Sequence, residues 1–221
     1  MHKVARLTLT AFASAALASG GAVRASDNPA MDAQVNRIDN QWAHIKYQVR
    51  DANQQFSELQ ALAQQAAEVA ARYPNKAEPL LWQGIVTSEE AADASMFRKM
   101  GFARAARAIF DRAKAINPKA GNGGVLMSLG VLYYRVPGFP IGFGDSKKAK
   151  AFLDAALALD PNGLDSNFFY GDFLNAQGDK NGAKAHLLRA LKAPANPARP
   201  VWDAGRRAEA RALLVHIQRR G

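Results

Sequence analysis

Cysteine is absent from all 221 residues. That excludes disulfide bonds, a thiolate nucleophile, Cys-ligated zinc and lipidation of a cysteine after export. Histidine is scarce, and His44, His186 and His216 form no His-x3-His or His-Glu pair on a helix face, so no metal site is expected. Serines 57, 88, 95, 128, 146 and 166 lack the strand-to-helix elbow that exposes a nucleophile. Alternation with a period of two never persists, so no strand is predicted. No catalytic residue, metal or cofactor is therefore expected, and an enzyme is not the reading of this chain.

The most apolar stretch is at the start. His2, Lys3 and Arg6 precede an apolar run from Leu7 to Ala18, and Val23-Arg24-Ala25 offers small residues for cleavage. This is the pattern of a signal peptide over residues 1–25, too short for a comfortable membrane span. The expected location is the periplasm, with the mature chain starting near Ser26. Without Lys3, Arg6 and Arg24, the 29 basic residues fall to 26 against 19 acidic ones, a net charge of +7. Such a balance favours acidic partners, anionic ligands or a negative membrane surface. Nucleic acid is not expected after export. Only Lys147-Lys148, Arg206-Arg207 and Arg219-Arg220 are doubled, which fits an ordinary solvated face.

Glycine and proline are missing between Pro29 and Pro74. Asn28 and Pro29 suit an N-cap and first helical turn. Apolar residues then recur at steps of four and three from Met31 through Val35, Ile38, Trp42, Ile45, Val49, Phe56 and Leu59 to Tyr73. One face of a long helix, or of two helices in line, is thus apolar. Residues 26–50 are read as an N-terminal amphipathic arm, with a break near Asp51–Asn53. The stripe serves either oligomerisation or packing on its own domain. Trp42 and Phe56 are bulky for a tight two-stranded seam, which favours the second.

Residues 51–221 carry a repeat. Leu126, Leu129, Gly130 and Tyr133 mark one first helix, and Asn167, Tyr170, Gly171 and Leu174 another. Second helices are marked by Ala106, Phe110, Ala113 and Pro118, by Ala149, Leu153, Ala156 and Pro161, and by Ala183, Leu187, Ala190 and Pro194. This is the frame of tetratricopeptide (TPR) helix pairs, which repeat every ~34 residues. Ala149 and Ala183 differ by 34, whereas Ala106 and Ala149 differ by 43. The predicted fold is an all-α, TPR-like array of helical hairpins, an α-solenoid. An earlier, weaker unit covers Leu80–Pro118, its first helix extended through "TSEEAADASMFRKMGF". Asp203–Arg220 reads as a capping helix with Ala204, Ala208, Ala212, Leu213 and Ile217 inward under a basic outer face.

The excess length has a place. Gly130 to Ala149 spans 19 positions and Gly171 to Ala183 only 12, so "YYRVPGFPIGFGDSKKA" at 133–149 contains a seven-residue insertion. It is not a phosphate loop, because Gly144 is followed by Asp145 where Gly-Lys-Ser/Thr is needed. Asp145 suits the N-cap of the next helix. Phe139, Ile141 and Phe143 face either the core, a ligand or a partner.

The stretches "YPNKAEPLLWQG" (73–84), "GVLYYRVPGFPIGFGDSKKAKAFLDAALALDPN" (130–162), "FFYGDFLNAQGDKNGAKAHLLRALKAP" (168–194) and "RPVWDAGRRAEARALL" (199–214) together resemble the TatT family. These are T components associated with tripartite ATP-independent periplasmic (TRAP) transporters. The likeness spans residues 51–215. It implies a non-enzymatic periplasmic helper that contacts the transporter's solute-binding protein, assembles as a homo-oligomeric trimer, and hands over a hydrophobic or carboxylate small molecule. The family's lipid anchor has no cysteine here. On that reading Tyr133, Tyr134, Phe139, Phe143 and Tyr170 supply apolar contact. Arg135, Lys147 and Lys148 attract an acidic group beside Asp145. The alternative is a general envelope TPR scaffold that binds proteins and no small molecule.

Overall fold

The computed structural model describes residues 27–90 and 96–219, and the expected signal peptide lies outside them. The described residues form nine α-helices and no strand: α1 Pro29–Tyr47, α2 Ala52–Arg72, α3 Ala77–Glu89, α4 Met96–Ile116, α5 Ala120–Arg135, α6 Ser146–Leu159, α7 Leu164–Ala176, α8 Lys180–Lys192 and α9 Pro200–Arg219. None is long and apolar enough to cross a membrane.

Polar side chains start four of these helices. Asn28 accepts from the Met31 N–H at 3.0 Å, and Asp51 from Gln54 at 2.8 Å. Asp179 accepts from Gly182 at 2.8 Å, and Asp145 caps α6. Each satisfies an amide that the first helical turn leaves unpaired. The Asp51 cap restarts the helix after a break at 48–51, and α1 packs on α2. The long apolar stripe therefore folds back as a hairpin instead of continuing in line. The first helix of the next unit is also shorter than its sequence suggests. It ends at Glu89, and Met96–Phe102 already belong to α4.

One packing device recurs in three hairpins. A Cβ added to Gly84 of α3 would lie 2.4 Å from the Phe110 ring of α4. A Cβ at Gly130 of α5 would lie 2.6 Å from Leu153 of α6, and one at Gly171 of α7 3.0 Å from Leu187 of α8. Each glycine admits a large side chain from the partner helix. Four residues before that side chain the partner helix carries a fully buried alanine: Ala106, Ala149 or Ala183. The sequence frame is thus the packing code of the hairpins.

The array closes on itself. First helices pack in order, α1 on α3, α3 on α5, α5 on α7 and α7 on α9, and α9 packs back on α1. The closing contact repeats the same device, since a Cβ on Gly205 of α9 would lie 2.4 Å from the Tyr47 ring of α1. One core joins Ile38, Trp42, Leu62, Phe168, Leu187, Trp202 and Ile217, drawn from both ends of the chain. A second core, with Leu80, Phe110 and Leu129, binds α2 to α5.

The capping helix is rotated from its expected setting. Ala204, Ala208 and Ala212 are exposed, and Trp202, Arg206, Ala210, Leu214 and Ile217 are buried. An arginine on the inner stripe hid the true period. Arg206 is 4% exposed and lies over the Phe168 and Phe169 rings at 4.7 and 4.5 Å.

Candidate functional site

Helix α5 ends at Arg135 and α6 begins at Ser146, so the loop 136–145 contains the insertion. Its backbone is held to itself and to α5. The Gly144 N–H donates to the Pro137 carbonyl at 2.9 Å, and Asp145 N–H to Tyr133 at 2.9 Å. Ile141 and Gly142 both donate to the Gly138 carbonyl, at 3.1 and 3.0 Å. The two sides of the loop approach so closely that a Cβ on Gly144 would lie 1.9 Å from the Val136 oxygen. Only glycine fits there.

The apolar side chains of this loop diverge. Phe139 is 94% exposed and Ile141 60% exposed, so both stand in solvent at its tip. Phe143 turns inward, edge-on to Tyr133 at 5.6 Å, with the Arg107 guanidinium 4.2 Å above its ring. Tyr133 also stacks on Phe152 at 5.7 Å, and Lys148 Nζ lies 5.6 Å from its centroid. The Asp145 carboxylate accepts the Lys147 and Lys148 N–H groups at 2.9 and 3.0 Å. The Lys148 amide leads in holding that carboxyl below its usual range. Lys147 and Lys148 are both exposed beside the loop base.

The other expected residues are engaged elsewhere. The Tyr134 hydroxyl donates to Asp172 Oδ2 at 2.6 Å, and Arg135 donates to the same oxygen at 2.7 Å. Burial pushes the Tyr134 phenol well up, partly offset by Arg135 and reinforced by Asp172. An incoming carboxylate at Arg135 would compete with Asp172. Tyr170 is buried on α7, donating to Asp154 at 2.7 Å with its ring 4.6 Å from His186. The nine residues thus separate into an exposed tip (Phe139), a packed base (Tyr133, Phe143) with Asp145 and the exposed Lys147 and Lys148 beside it, a polar link from α5 to Asp172 of α7 (Tyr134, Arg135), and Tyr170 apart from them.

Sequence reasoning missed a charged network inside the ring. Arg199 contacts Asp39 of α1 at 2.6 Å, and Asp39 is only 6% exposed. Burial raises the Asp39 carboxyl, although Arg199 opposes the shift. Arg206 donates to Asp165 at 2.6 Å and to Glu209 at 2.5 Å, and Tyr47 donates to Glu209 at 3.3 Å. The Arg206-Arg207 doublet, read as solvated, is structural. Arg207 donates to the Leu191 and Ala193 carbonyls that end α8. The Arg206–Glu209 spacing of i,i+3 and the Asp203–Arg207 spacing of i,i+4 were the signals visible in the sequence.

Helical hairpins in series, a glycine-to-large contact in three of them and a capping helix define an all-α TPR-like solenoid. A solved structure of a thermophilic TPR protein from Thermus thermophilus is similar, with a TM-score of 0.57 at 17% sequence identity. The match covers 72% of this chain and 73% of that one. No protein-family model matches the chain, and no curated protein sequence matches it.

Proposed function

We propose that this protein is a non-enzymatic periplasmic adaptor of a TRAP-type solute uptake system, docking the system's solute-binding protein through the 136–145 loop. The observation that carries the proposal is the exposure of Phe139 and Ile141 on a loop whose backbone is hydrogen-bonded in place. Isolated exposed hydrophobics are common, but two at the tip of an ordered loop form an anchor that loses little entropy on binding. Burying what is exposed of both side chains would contribute about 2–5 kcal/mol before the costs of association. Lys147 and Lys148 at the loop base suit an apolar pocket with an acidic rim. The TPR-like fold fits a protein-interaction scaffold, and the resemblance around this loop names the transport system. Arg135 already holds Asp172, which favours protein docking over capture of a free carboxylate.

The test is affinity capture from periplasmic extract with the mature protein, a Phe139→Ser/Ile141→Ser double variant and a Leu188→Ser control. Leu188 is an exposed hydrophobic on α8, away from the loop in sequence. Mass spectrometry should find a solute-binding protein with the wild type and the control, and not with the double variant. Recovery of wall or outer-membrane proteins alone would instead make the protein a general envelope scaffold. Retention of the solute-binding protein by the double variant would move the docking site off the loop.

A further inference from the structure

A cavity of about 190 Å³ opens where α5 and α7 begin, walled by Met127, Ala156, Asp160, Leu164, Asp165 and Trp202. At ~30 Å³ per water it has room for roughly six waters. Its shape depends on a left-handed run at the start of α5, where Gly121, Asn122 and Gly123 have φ of 60°, 52° and 87°. A Cβ at Gly123 would meet the Ala156 backbone at 3.2 Å. Glycine and asparagine are the residues that tolerate this conformation.

The charges on the wall are balanced except for one. Asp165 accepts from Arg206 at 2.6 Å and from Trp202 Nε1 at 3.2 Å. Arg199, also at the cavity, is held by Asp39. The Ser166 hydroxyl is spent on the Asp160 and Gly163 carbonyls, at 2.5 and 3.2 Å. Asp160 is half-buried, and its carboxylate makes no hydrogen bond or ion pair among the described residues. It lies over Gly163, where a Cβ would come 1.7 Å from Oδ2. Burial first, and then Asp165, raises its pKa, as befits a carboxylate without a counter-charge.

We infer that this cavity binds a small organic ammonium ion, its nitrogen on the Asp160 carboxylate and its alkyl stem against Met127 and Leu164. A bare metal ion is a poorer fit, because no group of three or more His, Cys, Asp or Glu able to hold one occurs among the described residues. The cavity is also larger than a bare ion needs. The inference is independent of docking at the 136–145 loop, and the Phe139→Ser/Ile141→Ser variant should bind amine as the wild type does.

Calorimetry with butylammonium and 1,4-diaminobutane, against butyrate and sodium chloride at matched ionic strength, tests it. Saturable binding is expected for the amines only. Asp160→Asn should weaken it about tenfold or more, the loss expected for one charge-assisted hydrogen bond, while Asp160→Glu retains part of it. Circular dichroism checks that both variants fold. In a methyl-labelled methionine spectrum, the Met127 resonance, assigned from Met127→Leu, should move on adding amine to the wild type. Equal responses to amine and sodium chloride, unchanged affinity in Asp160→Asn, or a stationary Met127 signal during binding would each overturn the assignment.

Discussion

Replacing Gly84 with alanine adds one methyl group where the hairpin has no room for it. The new Cβ would lie 2.4, 2.7 and 2.9 Å from three atoms of the Phe110 ring. Phe110 is 1% exposed and held in the core that binds α2 to α5, so the ring has nowhere to retreat. Alanine gains about 1 kcal/mol over glycine in a helix interior. Overpacking a filled core costs about 1–3 kcal/mol, and a contact this short belongs at the upper end. The expected net loss is about 1–2 kcal/mol, or a fall in Tm of roughly 2–8 °C for a chain of this size. Gly101 of α4 is the control, since no atom lies within 4 Å of an added Cβ. Gly101→Ala should raise Tm by about 2–4 °C, because only the propensity gain operates. Loss should decrease in the order Gly84, Gly130, Gly171, following contacts of 2.4, 2.6 and 3.0 Å. Thermal and urea unfolding followed by helical circular dichroism reads all four variants. If Gly84→Ala stabilised the protein as much as Gly101→Ala, the glycine-to-large contact would not be what joins the paired helices.

The ring closure can be trapped in this cysteine-free chain: Tyr47→Cys/Gly205→Cys should form an intramolecular disulfide on oxidation, seen as a dilution-independent gel shift reversed by reductant. Dimers in its place would show that α1 reaches another molecule. Arg206→Ala should lower stability by about 1.5–3 kcal/mol, because it removes the charged donor shared by Asp165 and Glu209 and leaves them only the neutral Trp202 and Tyr47 donors; a urea midpoint equal to the wild type's would contradict that. Asp203 titrates below its ordinary range, chiefly because Arg207 hydrogen-bonds its carboxylate. Its contribution is therefore complete above the unfolded value of about 3.9 and lost as pH falls through the depressed folded value. The stability gap between wild type and Asp203→Asn should accordingly be widest near neutrality and shrink in acid, and a gap constant with pH would refute the assignment.

The sequence carried most of what is local. Asn28 and Asp145 were readable as caps because capping needs a particular side chain at one position. The pairs Gly130–Leu153 and Gly171–Leu187 were readable because both hairpins use one frame, a glycine on the first helix facing a leucine four residues after a buried alanine on the second, although the insertion changes the spacing between the helices. The closing of α1 on α9 was not readable. Periodicity shows that Ile38, Trp42 and Ile45 are buried, but it carries no information about which distant helix covers them. The setting of α9 was missed for a related reason, since its buried stripe contains Arg206, and a charge at an inner position looks like a surface residue until Asp165 and Glu209 meet it. At the loop, composition showed three large apolar residues without their directions. Phe143 turns in because Tyr133 and Arg107 receive it, whereas no such neighbours were visible for Phe139.

Docking through the loop tip is tested most directly in the intact periplasm, with p-benzoylphenylalanine placed at position 139 and, as a control, at position 188. On irradiation the probe at 139 should join the protein to one partner, identified by mass spectrometry as a solute-binding protein, while the probe at 188 yields no such product. A probe at 139 that crosslinks nothing, or joins only wall and outer-membrane proteins, would contradict docking of a solute-binding protein on this loop.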